Sequence, residues 1–146
     1  MAPVVVRRVR GEDLEDVLEI ESLSFIRPYP PSYLYTLAHL SPETFPVAVL
    51  DHHVIGYAVF SMRGRTTQIL SLAVHPDHRR RGVGATLLTW VVEEAKRRNT
   101  SSIRLEVRRS NLSAQRLYSR LGFSPLHIAH SYYDDGEDAL IMELPL

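Results

Sequence analysis

The stretch ILSLAVHPDHRRRGVGATLLTWVVEEAKRR, residues 69–98, decides the fold. At its start Leu70, Leu72 and Val74 alternate with Ile69, Ser71 and Ala73, and only Ser71 is polar, which predicts a strand covered on both faces. Pro76 closes it. From Val83 the period changes: Val83, Leu87, Leu88, Val91, Val92 and Ala95 recur every three to four residues. Thr89, Glu93, Glu94, Lys96, Arg97 and Arg98 take the other side, so an amphipathic helix follows. Between the two lies Arg79-Arg80-Arg81-Gly82-Val83-Gly84. Gly82 and Gly84 have no Cβ to hold a ligand away from the N–H groups of the first helical turn. Those groups lack intrahelical partners and carry the positive end of the helix dipole, so the turn has the chemistry of a phosphate seat. Glycine and arginine also precede many helices that bind nothing. Neither GxGxxG nor a P-loop lysine is present, which disfavours an ordinary dinucleotide or nucleoside-triphosphate site.

Working towards the amino end, residues 45–50 and 54–62 read as strands joined by Asp51-His52-His53, a hairpin-sized connection, and Arg63-Gly64-Arg65 turns the chain into the strand at 66–74. The histidine pair has no third ligand at helical or hairpin spacing, so no metal site is read there. Residues 4–9 are β-branched and form a first strand, with Arg7, Arg8 and Arg10 wholly or partly solvated. Gly11-Glu12-Asp13 then opens a helix carrying Leu14, Val17, Leu18, Glu21 and Phe25. Pro28, Pro30 and Pro31 stop it in a stiff loop that holds Tyr29, and Pro31 opens a second short helix through Leu40. That loop either closes the core or forms one wall of a substrate groove.

Towards the carboxyl end, SIRLEV at 102–107 puts Ile103, Leu105 and Val107 on one face and Arg104 and Glu106 on the other. Glu106 in mid-strand is either solvated, paired with arginine, or held in a cleft where burial would raise its pKa towards the range useful for a base. Asn111 caps a helix at 112–120 that buries Ala114, Leu117 and Leu121 and ends at Gly122. Tyr118, three residues before Leu121 and beside Leu117, reads from its position as a core tyrosine. A strand at 123–131, the polar turn YYDDGED and a last strand at 139–144 complete a mixed α/β sheet, expected as a single domain over 1–146.

The 146 residues contain 17 basic and 17 acidic side chains and no cysteine. Neutral charge without an aromatic-interleaved basic surface argues against nucleic acid as a partner. Without cysteine there is no disulfide framework and no thiol nucleophile. No run is long and apolar enough for a membrane span or a signal peptide, so no membrane partner is expected and cytoplasm is the default location.

Arg79-Arg80-Arg81-Gly82-Val83-Gly84 fits the [RQ]-x-x-G-x-[GA] element of the GCN5-related N-acetyltransferase superfamily, and the order of strands and helices resembles that fold, about seven strands flanked by about four helices. LAVHPDHRRRGVGATLL, LEVRRSNLSAQRLYSRLGF and YYDDGEDALIMELP together resemble the amino-terminal acetyltransferases, both the bacterial ribosomal-protein alanine enzymes and the archaeal and eukaryotic catalytic subunits. The resemblance implies acetyl-CoA as co-substrate, with no metal. The backbone of Leu72, Ala73 and Val74 would pair with its pantetheine arm, and Arg79, Arg80, Arg81, Gly82, Val83, Gly84 and Ala85 would hold its pyrophosphate. Asn111 and Tyr118 would also contact it. Glu106 falls where the bacterial and archaeal members carry a general base, and Tyr118 where the family carries the acid for the leaving thiolate. Phe25, Tyr29, Tyr132 and Tyr133 would line the acceptor groove. The implied partners are amino termini of proteins or peptides, ribosomal proteins among them, bound by a monomer or weak dimer. The eukaryotic subunits that prefer small or acidic first residues carry LPENY after the first helix; an ungapped reading sets Arg27 at that glutamate, so no acidic preference is assigned. The alternatives are an acetyltransferase for lysine side chains or small amines, and an acyl-CoA-binding subunit of low activity.

Overall fold

A computed structural model describes residues 3–146. Among them are β1 (Val5–Arg8), α1 (Leu14–Ser24), α2 (Pro31–Leu40), β2 (Pro46–Leu50), β3 (His53–Arg63), β4 (Thr66–Val74), α3 (Val83–Arg97), β5 (Ser102–Arg108), α4 (Leu112–Arg120), β6 (Ser124–Ala129) and β7 (Ala139–Pro145). The strand order is β1-β2-β3-β4-β5-β7-β6. β4 and β5 run parallel, whereas β1 with β2, β2 with β3, β5 with β7 and β6 with β7 are antiparallel. This is the mixed α/β architecture the sequence predicts. Residues up to Phe60 with Leu70–Val91 make one compact unit, and Ser61–Ile69 with Val92–Leu146 a second, so β3, β4 and α3 each contribute to both.

In the first unit, the β2–β3 hairpin turns at Asp51 and His52, which have φ of 49° and 68°. Positive φ at both central residues is the type I′ geometry whose twist suits a hairpin. Pro31 sits at the first position of α2, where its missing N–H costs no hydrogen bond. Val17, Ile20, Leu34, Phe45, Val47 and Tyr57 form the centre of the core, with Tyr29 packed against it. Ala48, Ile55, Val83 and Leu87 make a second cluster. Gly56 explains how closely the start of α3 is held: a Cβ there would lie 3.1 Å from the Ala73 carbonyl oxygen, 3.1 Å from Leu87 Cδ1 and 3.2 Å from Val83 Cγ1. Phe25 lies just past α1, in extended conformation.

In the second unit, β5 pairs with β7 along its whole length, from Ser102 opposite Pro145 to Arg108 opposite Ala139. Ile103, Leu105 and Val107 are buried, as their alternation requires. Two expectations are corrected here. Ala114, Leu117 and Leu121 are only half-buried, and the buried side chain of α4 is Tyr118, 7% exposed. The helix terminus supplies the reason. Phe123 N–H donates to Tyr118 O at 3.0 Å and Gly122 N–H to Ser119 O at 3.1 Å, with Gly122 at φ 99°. This is the Schellman arrangement, which brings the residue after the glycine onto the side chain one turn back; the Tyr118 and Phe123 ring centres are 5.8 Å apart. Phe123 therefore closes the helix and β6 begins only at Ser124. The second correction is Glu94, which is 6% exposed where the helical period puts it among solvated residues. Arg97 and Arg98 fold back onto its carboxylate at 2.7 and 3.0 Å, so the ion pairs themselves cover it.

Candidate active site

The arginine turn lies in the first unit. Thr86 N–H donates to Gly82 O at 3.0 Å, so the helical ladder of α3 begins at Gly82 and the N–H groups of Val83, Gly84 and Ala85 precede the first intrahelical bond. Gly82 has φ 79°, and a Cβ built on it meets nothing within 4 Å. Arg80 also takes a positive φ, 63°, so the chain makes a left-handed step on either side of Arg81. Arg80 and Arg81 are exposed. Three consecutive helix-start N–H groups, an open approach over a glycine and two exposed guanidinium groups fit a pyrophosphate. Arg79 is committed otherwise: its Nε donates to Val74 O at 2.9 Å and its Nη2 to Ser24 Oγ at 3.2 Å, tying the end of β4 to the end of α1. At that end of β4, Ala73 is buried and Leu72 and Val74 are half-buried.

The proline-rich loop is pinned at one residue. Tyr29 N–H donates to Glu21 Oε2 at 2.8 Å, and its hydroxyl donates to Leu70 O at 3.4 Å. Its ring lies 4.9 Å from that of Tyr33. Phe25 is 37% exposed. Tyr29 thus fastens the loop to the core of its own unit.

Glu106, Asn111, Tyr118, Tyr132 and Tyr133 all belong to the second unit. Glu106 is half-buried on β5, and Gln68 Nε2 on β4 donates to its Oε2 at 2.9 Å. Burial raises its pKa above the ordinary carboxylate value, opposed by its own backbone N–H, by Gln68 and by the charge of Arg63. Among the described residues Glu106 makes no ion pair, although the charge of Arg63 reaches it. Tyr132 is 52% exposed, and burial and then the charge of Glu106 raise its pKa. Tyr133, half-buried, is pushed up to about 12 by burial, with the Arg108 charge opposing. Tyr118 is also pushed up to about 12, by burial and then by Tyr133.

The turn between β6 and β7 is fastened to the end of β5 by Arg108. Its Nη1 donates to Asp135 Oδ2 and to Glu137 Oε1, both at 2.9 Å, and its guanidinium carbon lies 4.0 Å from the Tyr133 ring centre. Glu137 Oε2 accepts from Ser110 N–H at 2.8 Å, and Tyr133 N–H donates to Glu137 O at 3.1 Å. Asn111 Oδ1 accepts from Ala114 N–H at 3.2 Å, the cap predicted for α4. Gln68 and Arg108 were not singled out from the sequence. Gln68 is the one amide in an otherwise apolar or hydroxylic strand, and Arg108 lies two residues beyond Glu106, so their positions were the available signals. Among the described residues, no group of three or more His, Asp or Glu side chains could hold a metal ion.

Residues 14–123 match the Acetyltransferase (GNAT) family. The chain belongs to that family. It is 38% identical over 139 residues to a putative ribosomal-protein bS18-alanine N-acetyltransferase of Bacillus subtilis, covering 94% of this chain and 92% of the relative. It is 33% identical over 156 aligned positions to an N-alpha-acetyltransferase of Saccharolobus solfataricus, covering 97% and 92%. The crystal structure of Ard1 from Thermoplasma volcanium superposes with a TM-score of 0.93 at 31% identity, covering 98% of this chain and 97% of that one. As a GNAT enzyme, this protein acetylates amines with acetyl-CoA as donor.

Proposed function

We propose that the acceptor is the α-amine at the amino terminus of a protein or peptide, and that Glu106 is the base. The observation that carries the proposal is a half-buried carboxylate with a raised pKa and a single side-chain hydrogen bond, set among exposed and half-buried tyrosines of its own unit. Such a carboxylate is less strongly acidic than a solvated one, and so a better proton acceptor at neutral pH. An α-ammonium has a pKa of about 8 and a lysine ammonium about 10.4, so the lysine costs roughly 3 kcal/mol more to deprotonate. The likeness to relatives whose names specify N-alpha-acetylation and ribosomal-protein alanine acetylation supports the same acceptor and suggests ribosomal-protein amino termini for the substrate panel.

Acetyl-CoA supplies a thioester activated towards attack by an amine. For this chain, the N–H groups of Val83, Gly84 and Ala85 with Arg80 and Arg81 would hold its pyrophosphate, and the backbone of Leu72, Ala73 and Val74 its pantetheine arm. Glu106 would take the ammonium proton through a water, leaving a neutral amine. Tyr118 is the acid-side group. With its pKa pushed up to about 12, it keeps its proton throughout the working range. A thiol has an ordinary pKa of about 8.5, so complete transfer from Tyr118 to a thiolate would be uphill by roughly 5 kcal/mol. Its hydroxyl therefore acts chiefly by donating a hydrogen bond to charge on the departing sulfur.

The test is mass spectrometry of peptides that carry both a free amino terminus and an internal lysine, varied in their first two residues, with an amino-blocked control. Label at the amino terminus is expected, and none on the control. Predominant label on lysine would overturn the proposal in favour of a side-chain acetyltransferase.

A further inference from the structure

Glu21 is 2% exposed, and the chemistry above makes no use of it. Its carboxylate stands where three parts of the first unit meet. Oε1 accepts from the Tyr57 hydroxyl of β3, in a short hydrogen bond, and from the Ser71 hydroxyl of β4 at 3.3 Å. Oε2 accepts from Tyr29 N–H at 2.8 Å. Tyr57 and Ser71 hydroxyls lie 3.3 Å apart and complete the triangle. The Tyr57 hydroxyl is driven far above its ordinary pKa by burial and by Glu21, so it remains a donor at all working pH. A carboxylate in a core is costly unless donors saturate it, and a valine or leucine here would pack with less risk. What a carboxylate provides that an apolar side chain cannot is an acceptor for the backbone of a loop that has little regular pairing of its own. Pro28, Pro30 and Pro31 have no N–H to give, so Tyr29 offers the one backbone donor between residues 28 and 31.

We infer that Glu21 is a positioning residue for the acceptor: anchored by Tyr57 and Ser71, it fixes Tyr29 and so sets where the proline-rich loop meets the incoming amino terminus. The inference rests on the reading that Tyr29 lines the acceptor site. Its consequence is a division of kinetic effects. Loss of the Glu21 to Tyr29 bond should weaken acceptor binding while acetyl-CoA binding stays the same.

The test uses three variants of the full chain. Glu21→Asp shortens the side chain by one methylene and draws the carboxylate back from Tyr29. Glu21→Met keeps length and removes the acceptor. Glu21→Gln keeps one acceptor oxygen for Tyr29 N–H while its NH2 donates to the two hydroxyls, which can turn to accept. Peptide KM should rise about tenfold or more in Glu21→Asp and Glu21→Met, the effect of losing a hydrogen bond to a charged group. Glu21→Gln should restore it to near wild type, and acetyl-CoA KM should stay constant throughout. Unchanged peptide KM in the folded Asp or Met variant, with wild type active on peptides, would overturn the inference. So would an equal rise in all three, because a merely structural role gives no advantage to the acceptor that glutamine retains. Hydrogen exchange at the Tyr29 amide gives a readout independent of any peptide. Faster exchange in Glu21→Asp than in Glu21→Gln supports the clamp, and equal exchange in wild type and Glu21→Asp overturns it. If wild type acetylates no peptide, the α-amine proposal fails by itself, and the exchange result still decides the role of Glu21 in holding the loop.

Discussion

Glu21 and Glu106 are both drawn into the protein without a salt bridge among the described residues, and they differ in how many donors reach them. Glu21 has three, spread over both oxygens. Glu106 has two, its own backbone N–H and the Gln68 amide. A buried carboxylate that accepts from three segments through both of its oxygens holds those segments in place. One that is desolvated but incompletely bonded is raised in basicity and keeps a lone pair for chemistry. Depth of burial and number of donors together separate the two roles.

The largest effect should come from the less saturated group. Glu106→Gln is expected to lower kcat by about a hundred- to a thousandfold with acetyl-CoA affinity nearly intact, and to move the rising limb of the pH profile to higher pH, since attack then relies on amine that is already neutral. Steady-state profiles over pH 6 to 10 check it, taken beside Glu21→Gln, which should keep wild-type kcat. Equal losses of kcat in the two variants would erase the distinction. Stability sharpens it further. Burial raises Glu106, so the folded chain binds that proton more tightly than the unfolded one, and this contribution is full below the unfolded value of about 4.3 and lost as pH rises through the folded value. Melting of Glu106→Gln should therefore gain on wild type as pH rises through that window.

The next effect separates donor binding from both carboxylates. Gly82→Glu places a side chain and a negative charge over the start of α3, at a φ of 79° that side chains rarely adopt. Calorimetric titration should show acetyl-CoA affinity reduced by at least about tenfold. Unchanged affinity in a folded variant would remove the helix start from the site.

Tyr118→Phe should have the smallest effect, a fall in kcat of about five- to tenfold, as expected from one lost hydrogen bond to developing charge. Because the hydroxyl is pushed up to about 12, the profile below pH 10 should keep its shape. A change in melting temperature without a change in rate would make Tyr118 a core residue and no more.

The parts of this molecule that are periodic or punctuated were legible from the sequence. The strand Thr66–Val74, the proline-started helix Pro31–Leu40 and the asparagine-capped helix Leu112–Arg120 all coincide with their expected bounds. Each is specified by residues within one turn or one pleat of one another. The polar contacts that shape the site are not of that kind. Glu21 reaches Tyr57 and Ser71 across 36 and 50 residues, and Gln68 reaches Glu106 across 38. Periodicity carries no record of which distant hydroxyl or amide meets a carboxylate. Glu106 still stood out, because a charged residue in an alternating strand breaks a local rule. The sequence sets Glu21 beside Leu14, Val17 and Leu18 on its helix, but nothing local to the helix names the hydroxyls and the amide that it meets. Tyr118 shows a third case: the sequence offers both it and its leucine neighbours to the core, and the turn that follows the helix decides for Tyr118.

The cap on α4 has a consequence for molecular polarity. Asn111 is an ambidextrous side chain, with a carbonyl on one arm and an NH2 on the other, and Ala114 occupies the carbonyl. The NH2 arm stays open as a donor, able to greet a carbonyl or a phosphate oxygen. Aspartate would start the helix equally well and present the opposite sense. At this position the folding requirement is satisfied by several residues, and the direction in which the free arm can speak to a ligand is what distinguishes asparagine from the rest.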